Sequence, residues 1–242
     1  MPFWLSLVMV GIGLWIRLGI LETPIFQRVI ANERVARAPV VEVLKRQPTE
    51  VILTALARMG QMTPIFVYVA FIFPYGMQVV HVSRDFLLVV LLIGSFFSFF
   101  TIPFSGYLSD RLGRKQVYIF GAAATGLFAF AYYALFNTAI PGLIILATLV
   151  AFFFHDLMWG PLAALTAGCF TPRLRYSGAS IGFQFAAVFA GGPAPMIATA
   201  LLVATGSGYV IALYIFGCAI VSVAATAVLQ SSRSRDFARD HI

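Results

Sequence analysis

Long apolar runs separated by short polar stretches dominate this sequence. Seven of the runs are long enough to cross a membrane as helices, which takes about 20 mostly apolar residues each. Helices satisfy their own backbone hydrogen bonds in hydrocarbon, so the pattern predicts an all-α, polytopic membrane helical bundle. The predicted spans are approximately residues 2–20, 50–78, 86–108, 116–136, 141–165, 177–204 and 208–229.

One connection between the runs is long, and it holds Pro24, Pro39 and Pro48. Such punctuation predicts a polar linker with one short surface helix. Loops rich in lysine and arginine remain in the cytoplasm. The basic residues of the linker, of the turns at 111–115 and 173–175 and of the tail fall on one side, whereas only Arg84 falls on the other. We therefore predict an outside N-terminus, a first transmembrane helix (1–20), a cytoplasmic linker (21–49), a six-helix unit (50–229) and a cytoplasmic tail (230–242).

The composition agrees with a membrane protein. Of 242 residues, 61% are hydrophobic and 10% are charged, whereas soluble domains average about 45–50% and about 25%. Membrane lipid is therefore a predicted partner. The net charge of +7 does not predict a nucleic acid partner, because the basic residues lie in loops without a phosphate-binding motif. Cys169 and Cys218 lack CxxC spacing, so no metal or other cofactor is expected.

Two of the predicted spans contain helix-breaking residues. Pro64 and Pro74 lie in the second span, and the sequence GGPAP lies in the sixth. Proline removes a backbone donor and clashes with the preceding turn, so both helices are expected to kink. Interrupted helices mark binding regions in transporters, and helix packing is the alternative. The residues of the second break are Gly191, Gly192, Pro193 and Pro195.

Ionisable side chains within the spans are functional candidates, because a charge in the bilayer costs a few kcal/mol. His155 and Asp156 interrupt the otherwise apolar stretch FFFHDLMWGP. Asp156 lies about fifteen residues, roughly 22 Å, into its span. Histidine titrates near neutral pH, so we expect the pair to couple to protons or substrate, with a structural hydrogen bond as the alternative. Adjacent helical positions point about 100° apart, so one side chain is expected to face a cavity and the other a neighbouring helix.

Arg58, about eight residues into the second span, is the third coupling candidate. Its side chain either snorkels to the cytoplasmic surface or pairs with an anion, which is a substrate carboxylate or Asp156. The second interpretation favours an organic acid substrate. Further substrate-path candidates lie on the same helix face or in the sixth span, with packing as the alternative for the tyrosines: Gln61, Tyr68, Tyr75 and Gln184.

The stretch GYLSDRLGRK, residues 106–115, lies between the third and fourth spans. It resembles the signature loop G-x-L-x-D-R-x-G-R-K of the major facilitator superfamily. The resemblance implies a cytoplasmic gate, in which the glycine allows close helix approach, the aspartate faces a helix N-terminus and the arginines pair with carboxylates. The residues concerned are Gly106, Asp110, Arg111, Gly113, Arg114 and Lys115.

Other stretches resemble the metabolite:proton symporter branch of that family, which includes carriers of shikimate, 2-oxoglutarate, citrate and betaines. IRLGILETPIFQ (16–27) is similar to the end of its sixth helix, and MWGPLAAL (158–165) with FTPRLRYSGASIGFQ (170–184) to its tenth and eleventh helices. The resemblance covers essentially the whole chain. It implies the C-terminal half of the major facilitator fold plus one preceding helix, or seven transmembrane helices.

Two features depart from that family. Its fold has twelve helices in two halves, and the first five have no counterpart here, so we expect a C-terminal portion or truncated product whose missing partner is an N-terminal half. The family also has an acidic residue just before an F-P-T-R stretch, where this chain has Gly168 and Cys169. That carboxylate would pair with a signature-loop arginine, so the cytoplasmic gate is expected to be held closed less strongly.

The predicted function is secondary transport of a small organic acid or zwitterion together with protons, and not enzymatic catalysis. The proton gradient would supply the energy, since no nucleotide-binding sequence is present. Two alternatives remain, a fragment that does not transport by itself and a seven-helix receptor. A retinal receptor needs a lysine within a span, whereas Lys45 and Lys115 both lie in predicted loops.

Overall fold

The computed structural model describes residues 2–19, 39–171 and 174–229, and these are helical apart from short connections. The chain divides into two compact units, Met1–Arg37 and Ala38–Ile242. Helix α1, Pro2–Gly19, belongs to the first unit. The second unit contains α2 (Pro39–Arg46), α3 (Pro48–Gln78), α4 (Arg84–Leu112), α5 (Arg114–Phe136), α6 (Pro141–Ala167), α7 (Arg175–Thr205) and α8 (Gly208–Val228).

Helices α3 to α8 are each long and apolar enough to cross a membrane, which confirms six of the predicted spans. In α1 the side chains are described over Ser6–Ile16, a shorter apolar stretch. The surface helix predicted in the linker is α2, with Val43 buried and Glu42 paired to Arg46 at 3.1 Å. The other predicted linker residues, 20–38, and the predicted tail, 230–242, lie outside the described residues.

The helix ends follow from the local sequence. The Ser83 and Ser207 hydroxyl groups accept from backbone amides in the first turns of α4 and α8, which satisfies otherwise free donors. Pro141 begins α6, where its missing N–H is not needed. Gly113 joins α4 to α5 at φ 99°, and Gly206 ends α7 at φ 67°, a left-handed conformation suited to glycine.

The two helices that are expected to kink each include a π-helical segment, Val67–Phe71 in α3 and Ala187–Gly191 in α7. The carbonyl four residues before Pro74 or Pro193 falls inside such a segment, so the wider turn accommodates the carbonyl that the ring would otherwise meet. In α7 the turn is closed by a bond from the Gly192 amide to the Ala187 carbonyl, 2.8 Å. The predicted helix interruptions are therefore π segments.

Small residues bring the helices of the second unit close together. A Cβ added to Gly60 would lie 2.5 Å from the Ser222 Cβ, so α3 and α8 meet almost backbone to backbone, as is common in membrane bundles. A Cβ on Gly160 would likewise lie 2.5 Å from the Gly106 amide nitrogen. Further close pairs include Gly126 with Ala219, Gly182 with Thr54, Gly121 with Leu157 and Gly94 with Phe152.

An aromatic cluster fills the end of the unit opposite the 106–115 loop. The rings of Tyr68 and Tyr132 lie 4.7 Å apart, and Tyr75 lies edge-on to Tyr133 at 5.1 Å. The Tyr75 hydroxyl also donates to the Asn137 side chain, 2.5 Å. These contacts support the packing interpretation of Tyr68 and Tyr75.

Candidate functional site

A buried chain of polar side chains connects three helices midway along the second unit. His155 and Asp156 on α6 are only 5% and 2% exposed. His155 Nε2 lies 3.0 Å from Nε2 of Gln61 on α3, and His155 Nδ1 lies 3.2 Å from Asp156 Oδ1. Asp156 Oδ2 accepts a hydrogen bond from the Thr101 hydroxyl on α4. We call these four residues the polar chain.

The donors and acceptors of the polar chain fit one assignment. The Gln61 NH₂ group donates to His155 Nε2, so the ring proton lies on Nδ1 and is donated to Asp156. Asp156, as a carboxylate, accepts from both His155 and Thr101. The His155 ring and the Asp156 carboxylate thus lie in one hydrogen-bonded row, and Gln61 covers the Nε2 end of that row.

Both ionisable residues lie far from the ends of α6. Asp156 is about 22 Å from the start of the helix and about 16 Å from its end, at 1.5 Å per residue. Trp159 lies one turn beyond His155, with ring centroids 6.1 Å apart, and is 40% exposed. Both members of the pair contact neighbouring helices, His155 through Gln61 and Asp156 through Thr101. The expected contact with a neighbouring helix is therefore made by both side chains, and which of them faces a cavity stays a prediction.

Arg58 lies three residues before Gln61 on α3 and is 5% exposed. Its guanidinium carbon lies 3.9 Å from the ring centroid of Phe183 on α7, a cation–π contact. Its Nε has no hydrogen-bond partner among the described residues. No ion pair joins Arg58 to Asp156 in the described part of the chain, and Asp156 is instead held by His155 and Thr101.

The backbone next to Arg58 is fixed by two hydrogen bonds from neighbouring helices. The Ala57 carbonyl accepts a hydrogen bond from the Tyr118 hydroxyl on α5, 2.8 Å, and another from the Ser222 hydroxyl on α8. Tyr118 and Ser222 are both fully buried. Helix α3 is therefore anchored to α5 and α8 directly beside Arg58 and one turn before Gln61.

The signature-loop residues make three kinds of contact. Arg114 pairs with Asp110 at 3.1 Å on the surface, and Arg111 lies over the Tyr107 ring at 4.6 Å. Lys115 instead reaches α8, where its Nζ donates to the carbonyls of Ala227 and Leu229 at 2.6 and 3.1 Å.

A Cβ on Gly106 would meet nothing within 4 Å among the described residues. The close approach expected from this glycine is made by Gly160 of α6 against its backbone. Cys169 lies where the resemblance to the family leads us to expect a carboxylate, and it is buried. Burial raises the pKa of its thiol to about 11, although the Lys115 charge acts to lower that pKa.

The structure brings part of the predicted site together and disperses the rest. His155, Asp156 and Gln61 are in contact, with Arg58 one turn away. Tyr68 and Tyr75 lie in the aromatic cluster, and Gln184 is exposed on α7 beside an apolar groove. Gly191, Gly192, Pro193 and Pro195 lie in or beside the π segment of α7, where the Thr63 hydroxyl of α3 donates to the Ala190 carbonyl, 3.4 Å.

Sequence reasoning missed Thr101, Phe183 and Trp159. Each is an ordinary residue of an apolar run, and each acquires its role only through a partner that the packing supplies. A single threonine in the run FFSFFTIPF gives a weak signal for Thr101, whereas Phe183 and Trp159 resemble any other aromatic residue in the spans.

Comparison with known proteins decides the family. Residues 1–191 match the profile of the Major Facilitator Superfamily. The chain belongs to this superfamily. This membership places the chain in a family of membrane transporters and not of enzymes, and it disfavours the seven-helix receptor. No solved structure matches the chain.

The matching relatives in the superfamily are metabolite carriers, which confirms the resemblance to the metabolite:proton symporter branch. The chain is 33% identical to the shikimate transporter of Escherichia coli over 239 residues, covering 96% of this chain and 54% of the relative. It is 26% identical to the inner membrane metabolite transport protein YhjE of the same organism over 237 residues, with the same coverage. It is 36% identical to the ectoine/proline transporter ProP of Corynebacterium glutamicum over 137 residues, covering 54% of this chain and 26% of the relative. The chain thus spans about half the length of the first two.

Proposed function

We propose that this major facilitator protein is a secondary transporter that moves a small organic acid together with a proton. The observation that carries the proposal is the buried polar chain, because His155 and Asp156 are an ionisable pair enclosed between spanning helices. Such groups are costly in a membrane and are characteristic of proton relays. His155 Nε2 accepts from Gln61 in the conformation described, and it is the atom that would take up the proton once Gln61 turns away.

Arg58 provides the site for the anion. It is a buried cation in the described part of the chain, balanced there by a ring and not by a carboxylate, and its Nε lacks a hydrogen-bond partner. A guanidinium of this kind favours a planar carboxylate ligand. The relatives that carry shikimate and proline or ectoine by name support a carboxylate-bearing metabolite. A zwitterion is the second candidate for the same reason.

The proposed membrane orientation places the 106–115 loop and α2 on the cytoplasmic side of an inner membrane. The basic residues Lys45, Arg46, Arg111, Arg114 and Lys115 all lie at this end of the second unit. In a variant without native cysteines, Arg84→Cys should react with a membrane-impermeant maleimide on intact cells, whereas Gln116→Cys should react only after lysis. The reverse pattern would overturn this orientation.

Uptake into proteoliposomes tests the proposed function. Radiolabelled shikimate, with glycine betaine in a parallel series, should accumulate when the external pH is lower than the internal pH, and a protonophore should abolish accumulation. His155→Gln and Asp156→Asn should lose proton-driven accumulation and retain exchange of internal for external shikimate, because exchange needs no net proton movement.

The outcomes separate the alternatives. Binding of shikimate without transport under any gradient would favour a fragment that needs an N-terminal half. Accumulation that continues unchanged in Asp156→Asn would contradict the assignment of the polar chain as the proton site. Absence of both binding and transport for every carboxylate tested would contradict the proposed substrate class.

A further inference from the structure

Two buried polar atoms beside the polar chain have no hydrogen-bond partner among the described residues. They are Oε1 of Gln61 and Nε of Arg58. Positions three apart on a helix are surface neighbours, with Cβ atoms about 5–6 Å apart. An unpaired buried polar group costs about 1–3 kcal/mol, so an adjacent donor and acceptor left unpaired indicate a place that a ligand completes.

The Gln61 amide must match the protonation state of His155. In the conformation described, its NH₂ donates to His155 Nε2, and its Oε1 is the free end. When a proton from water binds to Nε2, both ring nitrogens become donors. The amide then has to rotate by half a turn to present Oε1 to the ring, and its NH₂ becomes the free end.

We propose that this rotation of Gln61 couples proton binding to anion binding. With His155 protonated, Arg58 and the Gln61 NH₂ group both donate and can hold the two oxygens of one carboxylate. With His155 neutral, Gln61 presents an acceptor oxygen, which disfavours the carboxylate. One proton therefore enters with each carboxylate bound. The inference rests on the proposed function, and it assigns Gln61 as the residue that links the proton site at His155 to the anion site at Arg58.

Among the groups around His155, Gln61 is the one whose orientation can change with the protonation of the ring. On α6 the neighbouring ionisable group is Asp156, on α3 it is Arg58, and on α5 it is Tyr118, whose hydroxyl is engaged by the Ala57 carbonyl. At this level α4 contributes Thr101 and α7 contributes the Phe183 ring, neither of which carries charge.

Trp159 provides a reporter of His155 that needs no ligand, since a protonated imidazole quenches a nearby indole. In a Trp4→Phe, Trp15→Phe background, the fluorescence of the purified protein should change with pH, and His155→Gln should abolish the change. Gln61→Glu, which only accepts hydrogen bonds and adds a negative charge, should raise the pH midpoint by at least one unit. Gln61→Met should lower it, because the protonated ring loses an acceptor.

Shikimate binding to the same proteins tests the coupling. In the wild type, affinity should be high below the midpoint and fall about tenfold per pH unit above it, as linkage to one proton requires. Proton uptake per shikimate bound, measured with a pH indicator in weak buffer at a pH above the midpoint of the ligand-free protein, should be close to one. In Gln61→Met the uptake should fall toward zero. Gln78→Met, the same change at an exposed position at the end of α3, should behave as the wild type.

The fluorescence titration and the shikimate binding experiment can each fail independently of the other. Gln61→Met with wild-type proton uptake would overturn the proposal in favour of direct electrostatic attraction between the imidazolium and the anion. Identical fluorescence midpoints in the wild type, Gln61→Glu and Gln61→Met would overturn it without reference to any ligand. If the wild type binds no carboxylate at any pH, the proposed function fails, and the midpoints alone then decide whether Gln61 follows His155.

Discussion

Thr101 on α4 donates a hydrogen bond to Asp156 on α6, so a buried carboxylate is held by a neighbouring helix. Thr101→Val keeps the shape of the side chain and removes the donor. Leaving a buried charged acceptor short of one hydrogen bond costs about 1–3 kcal/mol. At about 2–4 °C per kcal/mol for a chain of this size, thermal unfolding in detergent should begin roughly 2–12 °C lower.

The matched control for Thr101 is Thr199→Val on α7. The Thr199 hydroxyl donates to the Pro195 carbonyl of its own helix at an exposed position, so its loss leaves no buried charge unsatisfied. Its unfolding temperature should stay within about 2 °C of the wild type. Equal losses at both positions would show that the Asp156 carboxylate gains nothing specific from α4.

Arg58→Lys should weaken shikimate binding at least tenfold. Lysine keeps the positive charge and loses the planar donor that both stacks on Phe183 and offers two parallel hydrogen bonds to a carboxylate. Equilibrium binding below pH 6 measures the effect. Arg84→Lys, the same change at the exposed start of α4, should leave the affinity unchanged, and a similar loss there would point to a general effect of surface charge.

Gly160→Ala should destabilise the contact between α6 and α4. The added methyl group would overlap the Ser105 hydroxyl and lie 2.5 Å from the Gly106 amide nitrogen, and overpacking of this kind costs about 1–3 kcal/mol. Gly142→Ala lies on the same helix with open space around its Cβ, so it should be neutral or slightly stabilising. Thermal unfolding of the two variants in one detergent tests the difference, and equal midpoints would contradict the close approach.

Lys115→Met should loosen the end of α8. The Lys115 ammonium group satisfies the Ala227 and Leu229 carbonyls at the helix C-terminus, where cations are favourable. Amide hydrogen exchange in the last turn of α8 should therefore become at least several-fold faster. Arg114→Met removes an exposed surface pair with Asp110, which contributes little, so it should leave exchange in that turn unchanged. Faster exchange in both variants would indicate a general opening of the loop.

The helices could be predicted from sequence because apolar length alone decides which segments span a membrane. The prolines also located both interruptions, although not their π-helical form, because the turn that accommodates Pro74 or Pro193 depends on local geometry. His155 and Asp156 were recognisable from the cost of charge in hydrocarbon. Their partners were not, because whether Gln61 or Arg58 reaches His155 depends on a helix rotation that no single sequence specifies.

The tight seam between α3 and α8 limits how the proposed substrate site can change in shape. Gly60 lies against Ser222, and the neighbouring Ala57 carbonyl is occupied by Tyr118 and Ser222, so that side of α3 has no room for larger side chains. The described contacts leave α6 and α7, which bring Trp159 to His155 and Phe183 to Arg58, as the helices on which the proposed site can change. Variants selected for new substrates should therefore accumulate at Trp159 and Phe183 and leave Gly60 untouched.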